Sequence, residues 1–505
     1  MMAVKSITDG YPLSVLLQGF ISVTSDVDVD VTGIAIDSRK VMPGDLFIAC
    51  QAGQRSAIPY INAAVKAGAS AVVAETGYLP EPFICSVPLL GISDLYTKTG
   101  IIADRFYGHP SADMTVIGVT GTNGKTTVSY ILAQSLSDSD KNMCGLIGTL
   151  GYGRIDNLLP GLNTTPDPIT LHHLLADMRD QNIGRVVMEV SSHGLDQYRI
   201  AGVDFNIAIF TNLSRDHLDY HGSMGSYADA KRRFFTNHQI NRAVINIDDA
   251  FGSSLVKELD ENVQVIAYTL NTDSNLRLKK NISLVSGKIM SGRSENLSLE
   301  VHTPWGEGCL TAHLLGKFNA YNLLAGLSAL CLLNYPLDKA LLRLSQCKNI
   351  PGRMERFGGD QHPRIVVDYA HTPDALEQVL LTLKTLCQGS LYCVFGCGGE
   401  RDKGKRSQMG AVAERYADII VITSDNPRHE DPDAIIQNIL SGIQKRNKIR
   451  IEADREIAIT STIKAATKND IILIAGKGHE NYQDIGGKRF PFSDQQVVRR
   501  VLESN

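Results

Sequence analysis

The run Gly121-Thr122-Asn123-Gly124-Lys125-Thr126-Thr127 is where this sequence most plainly offers chemistry. Its glycines let backbone N–H groups turn toward phosphate oxygens. Lys125 can reach terminal phosphates, and Thr126 supplies a hydroxyl for Mg²⁺ at the start of a helix. The apolar VIGVT before it reads as a strand and VSYIL after it as a helix start, the local frame that holds a nucleoside triphosphate. The spacing is not GxxxxGK[ST]: valine stands at 119 where that pattern needs glycine, and the loop is the shorter GTNGKT. The expectation is ATP. No HRDLxxxN, DFG or guanine-reading NKxD run accompanies it, so kinase and GTPase elaborations are missing.

Two further clusters sit where strands end. RVVMEVSSHG carries Glu189 followed by Ser191, Ser192 and His193, and FTNLSRDHLDYHG carries Asp216, His217, Asp219 and His221. Carboxylates and imidazoles at neighbouring strand ends suit one or two hard divalent ions that bridge phosphate oxygens during phosphoryl transfer.

These residues need a scaffold, and the sequence describes one. In the first ~110 residues, short apolar runs (VTGIAIDSRK, GDLFIACQ, ASAVVAE, VPLLGI) and a helix around Ile61 to Ala67 predict a small α/β domain. MTVIGVTG, CGLIGTLG, RVVMEVSS, FNIAIFTNLS and RAVINIDD form a second series of β-branched strands alternating with helical segments, which predicts a buried, mainly parallel sheet. RIVVDYAH, LYCVFGCGG, DIIVITSDNP and DIILIAGKG form a third, doubly wound series with polar residues just after each strand, so four loops should converge on one site.

The chain has 505 residues, 43% hydrophobic and 21% charged, with a net charge of -4; that composition fits a globular α/β protein and gives no basic footprint for nucleic acid or anionic membrane. A small-molecule partner is expected. Nine cysteines without a CxxC pair point to a reducing, cytoplasmic setting, and no apolar run reaches the ~18–20 residues of a membrane span. The N-terminus has no apolar h-region, and the lack of heptads gives no reason to expect more than a monomer.

TGTNGKTT, NTTPDP, MEVSSHGLDQYR, FTNLSRDHLDYHG, YADAKRRFF, GKFNAYNLLA, GRMERF, DYAHTPDAL, GCGGERDKGKR, SDNPRHEDP and GKGHENYQ occur in one order along nearly the whole chain. Together they resemble the Mur ligase family of peptidoglycan precursor synthesis. The resemblance implies three domains: a UDP-binding one (1–111), a central ATPase (112–349) and a C-terminal Rossmann-like one that brings the amino acid (350–505). It implies ATP-dependent amide formation, in which a D-glutamate carboxylate is phosphorylated and the acyl phosphate is attacked by an amine.

The resemblance also assigns roles. Gly121 to Thr127, Asn322, Arg353, Asp368 and His371 would surround ATP; Lys125, Glu189, His217 and Lys231 would be catalytic. Thr126, Glu189 and His217 would hold Mg²⁺. By itself Lys231 is one cation in a helical KRR run and reads as a solvated face; the resemblance implies instead that it is carboxylated by CO₂ to a metal-supporting carbamate. Ile36, Ser38, Gly53, Gln54 and Arg55 would meet the UDP moiety. Asn163, Thr164, Thr165, Ser191, Gln197 and Arg199 would meet the muramoyl peptide of UDP-MurNAc-L-Ala-D-Glu. Without the resemblance NTTP is an Asx-type turn and nothing more.

The amino acid added differs among family members, meso-diaminopimelate carrying one carboxylate more than L-lysine. Asp425-Asn426-Pro427-Arg428 resembles the members that add diaminopimelate, because Arg428 can grip that carboxylate bidentately where lysine offers an ammonium. Arg401, Gly476 and Glu480 would complete the pocket. A lysine-adding member, a folylpolyglutamate synthetase-like ligase and a non-enzymatic P-loop switch remain the alternatives.

Overall fold

The computed structural model describes residues 10–50, 56–77, 85–137, 143–238, 240–271, 279–290 and 296–503. The chain groups into two compact units: Met1–Gly118, Ser137–Asn206 and Arg233–Ile240 form the first; Val119–Leu136, Ile207–Arg232 and Asn241–Asn505 form the second.

In the first unit, Gly33–Ala35, Asp45–Ala49, Ala71–Glu75 and Leu89–Ile92 pair in that order as a parallel sheet. Asp45–Ala49 shows why its run is continuously apolar. Leu46 and Ile48 enter one core with Leu13, Leu16 and Ile102, while Phe47 and Ala49 enter another with Ile61 and Ala64. The same unit holds Arg185–Glu189 parallel to Gly145–Gly148, which continues antiparallel through Gly151–Arg154 and Asn157–Leu159. Helix Pro168–Asp180 starts where its signals say, with proline in the first turn and the Asp167 carboxylate accepting Thr170 N–H at 3.0 Å.

In the second unit, Ile207–Phe210, Arg242–Asn246, Gln264–Thr269 and Ile282–Ile289 run parallel, and Leu297–Thr303 and Gly306–Ala312 extend them antiparallel. Helix Lys317–Leu332 is buried from Asn319 to Leu332 apart from Tyr321, so it is apolar on every face rather than striped. A six-stranded sheet follows in the order Glu355–Gly358, Arg364–Asp368, Ile471–Ala475, Leu391–Phe395, Ile419–Ile422, Ile449–Ile451, parallel except for the first strand. Its strands alternate between two cores. Val366, Cys393, Ile420 and Leu473 pack on one side with Leu376, Met409 and Ile439 from helices, while Val367, Val394, Val421 and Ile472 pack on the other with Ile459 and Val498. Strand order reverses within this sheet, the condition that opens a crevice at the carboxyl ends of its strands.

Candidate active site

The phosphate loop leaves strand Thr115–Thr120 and enters helix Lys125–Leu136. Gly121 and Gly124 have φ of 148° and 87°, the region that favours glycine. A Cβ at Gly121 would collide with Thr211 Oγ1, and one at Gly124 would stand 2.5 Å from Asn322 Oδ1, so the loop is pressed against its neighbours. Mostly uncharged groups clamp it. Asn212 accepts Asn123 N–H at 2.9 Å and donates to the Asn123 carbonyl at 3.0 Å, and Thr211 Oγ1 donates to that carbonyl at 2.6 Å. Thr122 Oγ1 meets the Tyr227 hydroxyl at 3.0 Å, and Arg353 Nη2 donates to Thr126 Oγ1 at 3.0 Å. Backbone donors at a helix start, with a lysine beside them, make a cradle that fits a triphosphate.

Two lysines meet there. Lys125 Nζ donates to the Gly121 and Thr122 carbonyls at 2.8 and 2.9 Å, and Lys231 Nζ donates to the same Gly121 carbonyl at 2.9 Å. Lys231 is 1% exposed, so the solvated-face reading of KRR fails. Its helix, Met224–Thr236, buries Tyr227, Ala230, Lys231, Phe234 and Phe235, a stripe of helical period with the lysine at its centre. Burial, then the nearby Lys125 charge, push the Lys231 ammonium well below its ordinary range. A neutral amine is the form that adds to CO₂, so this lysine fits a carbamate.

Asp216 is buried with His217 Nε2 at 3.4 Å and His371 Nε2 at 3.7 Å. Burial alone would raise its carboxyl, but the two imidazoles and Lys405 hold it well below the usual range. His217 itself sits at φ 53° and donates its N–H to Asp216 Oδ1. Asp368 accepts Met354 N–H at 2.7 Å and Ala370 N–H at 2.8 Å, so it buckles its own loop as well as facing the Arg353 charge. Among the described residues no three His, Cys, Asp or Glu side chains come together as a metal cage. Mg²⁺ is ordinarily held by one or two carboxylates plus phosphate oxygens; the Thr126 hydroxyl and the Glu189 carboxylate are oxygen donors of that type, whereas His217 offers a softer imidazole nitrogen.

The four loops of the six-stranded sheet do converge. Gly476 N–H donates to the Asp368 carbonyl at 3.1 Å, and a Cβ on Gly476, at φ 115°, would stand 2.5 Å from Asp425 Oδ2. Asn426 Nδ2 donates to Glu480 Oε2 at 2.8 Å, and Lys477 Nζ donates to Asn426 Oδ1 at 2.9 Å and Glu480 Oε2 at 3.0 Å. Burial would raise the Asp425 carboxyl, yet Lys477 and Arg455 keep it low. Arg428 Nη1 donates to the Gly399 carbonyl at 2.6 Å, and Arg401 Nη1 donates to the neighbouring Glu400 carbonyl at 3.3 Å.

In the first unit, Glu189 is buried and accepts Thr149 N–H at 2.8 Å and Thr149 Oγ1 at 3.0 Å. Thr164 Oγ1 is 3.2 Å from Thr149 Oγ1, and Thr165 Oγ1 donates to the Glu189 carbonyl and accepts Ser191 N–H, both at 2.9 Å. Arg199 donates to the Thr165 carbonyl at 2.6 Å and forks onto Gln197 Oε1 at 2.9 and 2.6 Å. The Tyr152 hydroxyl bonds the backbone of Asn163. Glu189, Thr164, Thr165, Ser191, Gln197 and Arg199 therefore form one polar cluster, with NTTP as part of it. Ile36 is partly exposed and Ser38 opens a short 3₁₀ turn capped by Asp37. Gly53, Gln54 and Arg55 lie outside the described residues.

Sequence reasoning misses Thr149, Tyr227, Arg406, Glu430, Arg455, Lys477 and Asp494. For most of these the partner is far along the chain, and no local pattern marks it. Tyr227 is the exception, since it falls on the helical stripe that contains Lys231.

Residues 119–330 match the Mur ligase middle domain and residues 352–478 the Mur ligase, glutamate ligase domain. A protein of Coxiella burnetii named UDP-N-acetylmuramoyl-L-alanyl-D-glutamate--2,6-diaminopimelate ligase is 47% identical over 475 residues, 94% of this chain and 96% of its own length. One of the same name from Pseudomonas aeruginosa is 46% identical over 477 residues, again 94% and 96%. A solved structure of a protein so named superposes with a TM-score of 0.70 at 35% identity, covering 98% of this chain and 99% of that one. Folylpolyglutamate synthase from Mycobacterium tuberculosis, with a TM-score of 0.58 at 18% identity over 75% of this chain and 92% of its own, shares the fold alone. With the phosphate cradle in place and relatives matched almost end to end, this chain belongs to the Mur ligase family.

Proposed function

We propose that this protein joins meso-diaminopimelate to the D-glutamate of UDP-MurNAc-L-Ala-D-Glu at the expense of ATP, through an acyl phosphate, as a cytoplasmic step of peptidoglycan precursor synthesis carried out by a monomer. The observation that carries this reading is Arg428, its guanidinium fixed on the Gly399 carbonyl in the same loop as Asn426, whose amide donates to Glu480 of the adjoining loop. The far end of diaminopimelate bears a carboxylate and an ammonium, which match Arg428 and Glu480; L-lysine lacks that carboxylate and would leave Arg428 without its counter-charge beside the ammonium. Relatives that are 44–47% identical over nearly their whole length carry the name of that activity. No helix among the described residues is long and apolar enough to cross a membrane.

A carboxylate is a poor electrophile and repels an incoming phosphoryl group, so cations must hold both while positioning supplies much of the rate. In this reading Gly121 to Thr127 and Lys125 grip the triphosphate, with Asn322, Arg353, Asp368 and His371 around the nucleotide. Mg²⁺, with Thr126, Glu189 and His217 as proposed ligands and the Lys231 carbamate in support, would neutralise charge on the phosphate oxygens. Asn163, Thr164, Thr165, Ser191, Gln197 and Arg199 hold the carbonyls and carboxylates of the peptide, and Ile36, Ser38 and Gly53 to Arg55 the UDP moiety. Arg401, Asp425, Asn426, Pro427, Arg428, Gly476 and Glu480 form the amino-acid pocket. Domain limits at 111/112 and 349/350 belong to the same reading.

The test is phosphate release with Mg-ATP and UDP-MurNAc-L-Ala-D-Glu in the presence of meso-diaminopimelate, L-lysine or neither. The expected outcome is stimulation by diaminopimelate alone, with the tripeptide product found by mass. Stimulation by L-lysine keeps the ligase and removes the argument from Arg428.

A further inference from the structure

Arg428 does not hold its own position. It is a non-glycine residue in the left-handed region, φ 51°, and the loop it bonds contains another, Glu400 at φ 53°. Such residues persist only where their surroundings fix them, and they gather at functional sites. Arg428 N–H donates to the Asp484 carbonyl at 3.0 Å, and its carbonyl accepts Gly486 N–H at 2.7 Å. The fixing of Glu400 is different. Its N–H donates to the Glu430 carboxylate at 2.5 Å, and that carboxylate is gripped on both oxygens by Arg406, at 2.9 and 3.0 Å.

Arg406 is 1% exposed and also donates to the Gly398 carbonyl at 3.2 Å and to Asn438 Oδ1 at 2.9 Å. The Arg406–Glu430 pair therefore grips the backbone on both sides of Gly399, whose carbonyl orients the Arg428 guanidinium. Space is as tight as the bonding. A Cβ at Gly398 would stand 3.0 Å from Arg428 Nη1, and one at Gly399 would collide with the Pro427 carbonyl.

We propose that Arg406 and Glu430 are positioning residues for amino-acid selection: together they set the 398–400 backbone that aims Arg428 at the distal carboxylate of the incoming amino acid. This rests on the reading of Arg428 given above. Neither residue touches substrate in this account; each acts through the Gly399 carbonyl. Bidentate recognition needs the fork within a fraction of an ångström, so loosening its support weakens one carboxylate contact and leaves the ATP cradle as it is.

The test compares wild type with Glu430→Gln, measuring KM for meso-diaminopimelate, ATP and UDP-MurNAc-L-Ala-D-Glu and the diaminopimelate-to-lysine ratio of kcat/KM. The expected result is a KM for diaminopimelate higher by about tenfold or more and a ratio lower by a similar factor, with kcat and the other two KM values within about threefold. An unchanged KM for diaminopimelate, or an equal loss with every substrate, overturns the proposal and leaves the pair a purely structural role. If Glu430→Gln does not fold by circular dichroism, Arg406→Lys, which keeps the buried charge and loses the fork, is judged by the same two criteria. Wild-type protein stimulated by L-lysine and not by diaminopimelate overturns the Arg428 reading itself, an outcome visible before any variant is made.

Discussion

The phosphate loop and the amino-acid loops are built on opposite electrostatic plans. Around Gly121 to Thr127 the clamps are mostly amides and hydroxyls: Asn212, Thr211 and Tyr227. Around Ser424 to Arg428 and Gly476 to Glu480 they are buried cations with carboxylates: Arg406 on Glu430, Lys477 on Glu480, and Arg455 on Asp494. A loop that must receive a polyanion gains nothing from fixed anions nearby, and neutral clamps hold it without adding charge that would repel the ligand. A pocket for an amino acid with charges of both signs needs both signs held in place, and pairing is the way to bury them. Arg455 is the clearest case. It is fully buried, forks onto Asp494 at 2.8 and 2.9 Å, and ties the carbonyls of Ser424, in the first loop, and Ala475, where the strand enters the second.

If the comparison holds, removing one partner of that pair should have the largest effect. Asp494→Asn leaves the Arg455 guanidinium without its counter-charge, and denaturant unfolding should show a loss of about 3–5 kcal/mol. Lys125→Ala should do the reverse, lowering kcat by roughly 10²–10³ with a smaller loss of stability than Asp494→Asn, because the charge serves the ligand and only its two bonds to the Gly121 and Thr122 carbonyls go with it. Asn212→Ala takes one neutral clamp from the phosphate loop and should cost about 1–3 kcal/mol, raising KM for ATP and not for the amino acid.

The smallest effect sharpens the comparison through pH. Chiefly its bond with Arg406 holds the Glu430 carboxyl at about 2, against 4.5 for a free glutamate. A depressed carboxyl stabilises the fold fully above its unfolded pKa, and that contribution drains as pH falls through the folded one. The difference in melting temperature between wild type and Glu430→Gln should therefore be constant above pH 5 and shrink between about pH 4.5 and 2. A difference that does not change with pH would mean that the pair contributes no charge-dependent stability.

What could be read from the sequence follows from how local each device is. The phosphate loop is legible because strand, turn, lysine and helix are contiguous, and the four inner strands of the six-stranded sheet are legible because both faces are buried and their apolar runs are unbroken, whereas the edge strands Glu355–Gly358 and Ile449–Ile451 are partly exposed and are not picked out. Leu297–Thr303 and Gly306–Ala312 are not picked out, since only alternate residues of the first are fully buried and their pairing is antiparallel. Read by itself, Lys231 passes for a solvated face because of the adjacent arginines, although Tyr227, Ala230 and Phe234 form a helical stripe around it. Arg406 with Glu430 and Arg455 with Asp494 lie too far apart in the chain for any spacing rule to join them.

Helix Lys317–Leu332 has one more consequence, for how the protein is made. Phosphate helix Lys125–Leu136 rests on it, Gly326 lying against Ile131, yet the ribosome delivers it roughly 180 residues later. At synthesis rates of about 5–20 residues per second, the nascent phosphate helix waits on the order of 10–40 s with Ile131 and its neighbours uncovered. During that interval the growing chain is a client for any chaperone that binds exposed aliphatic segments, and a pause between the two helices would lengthen the exposure.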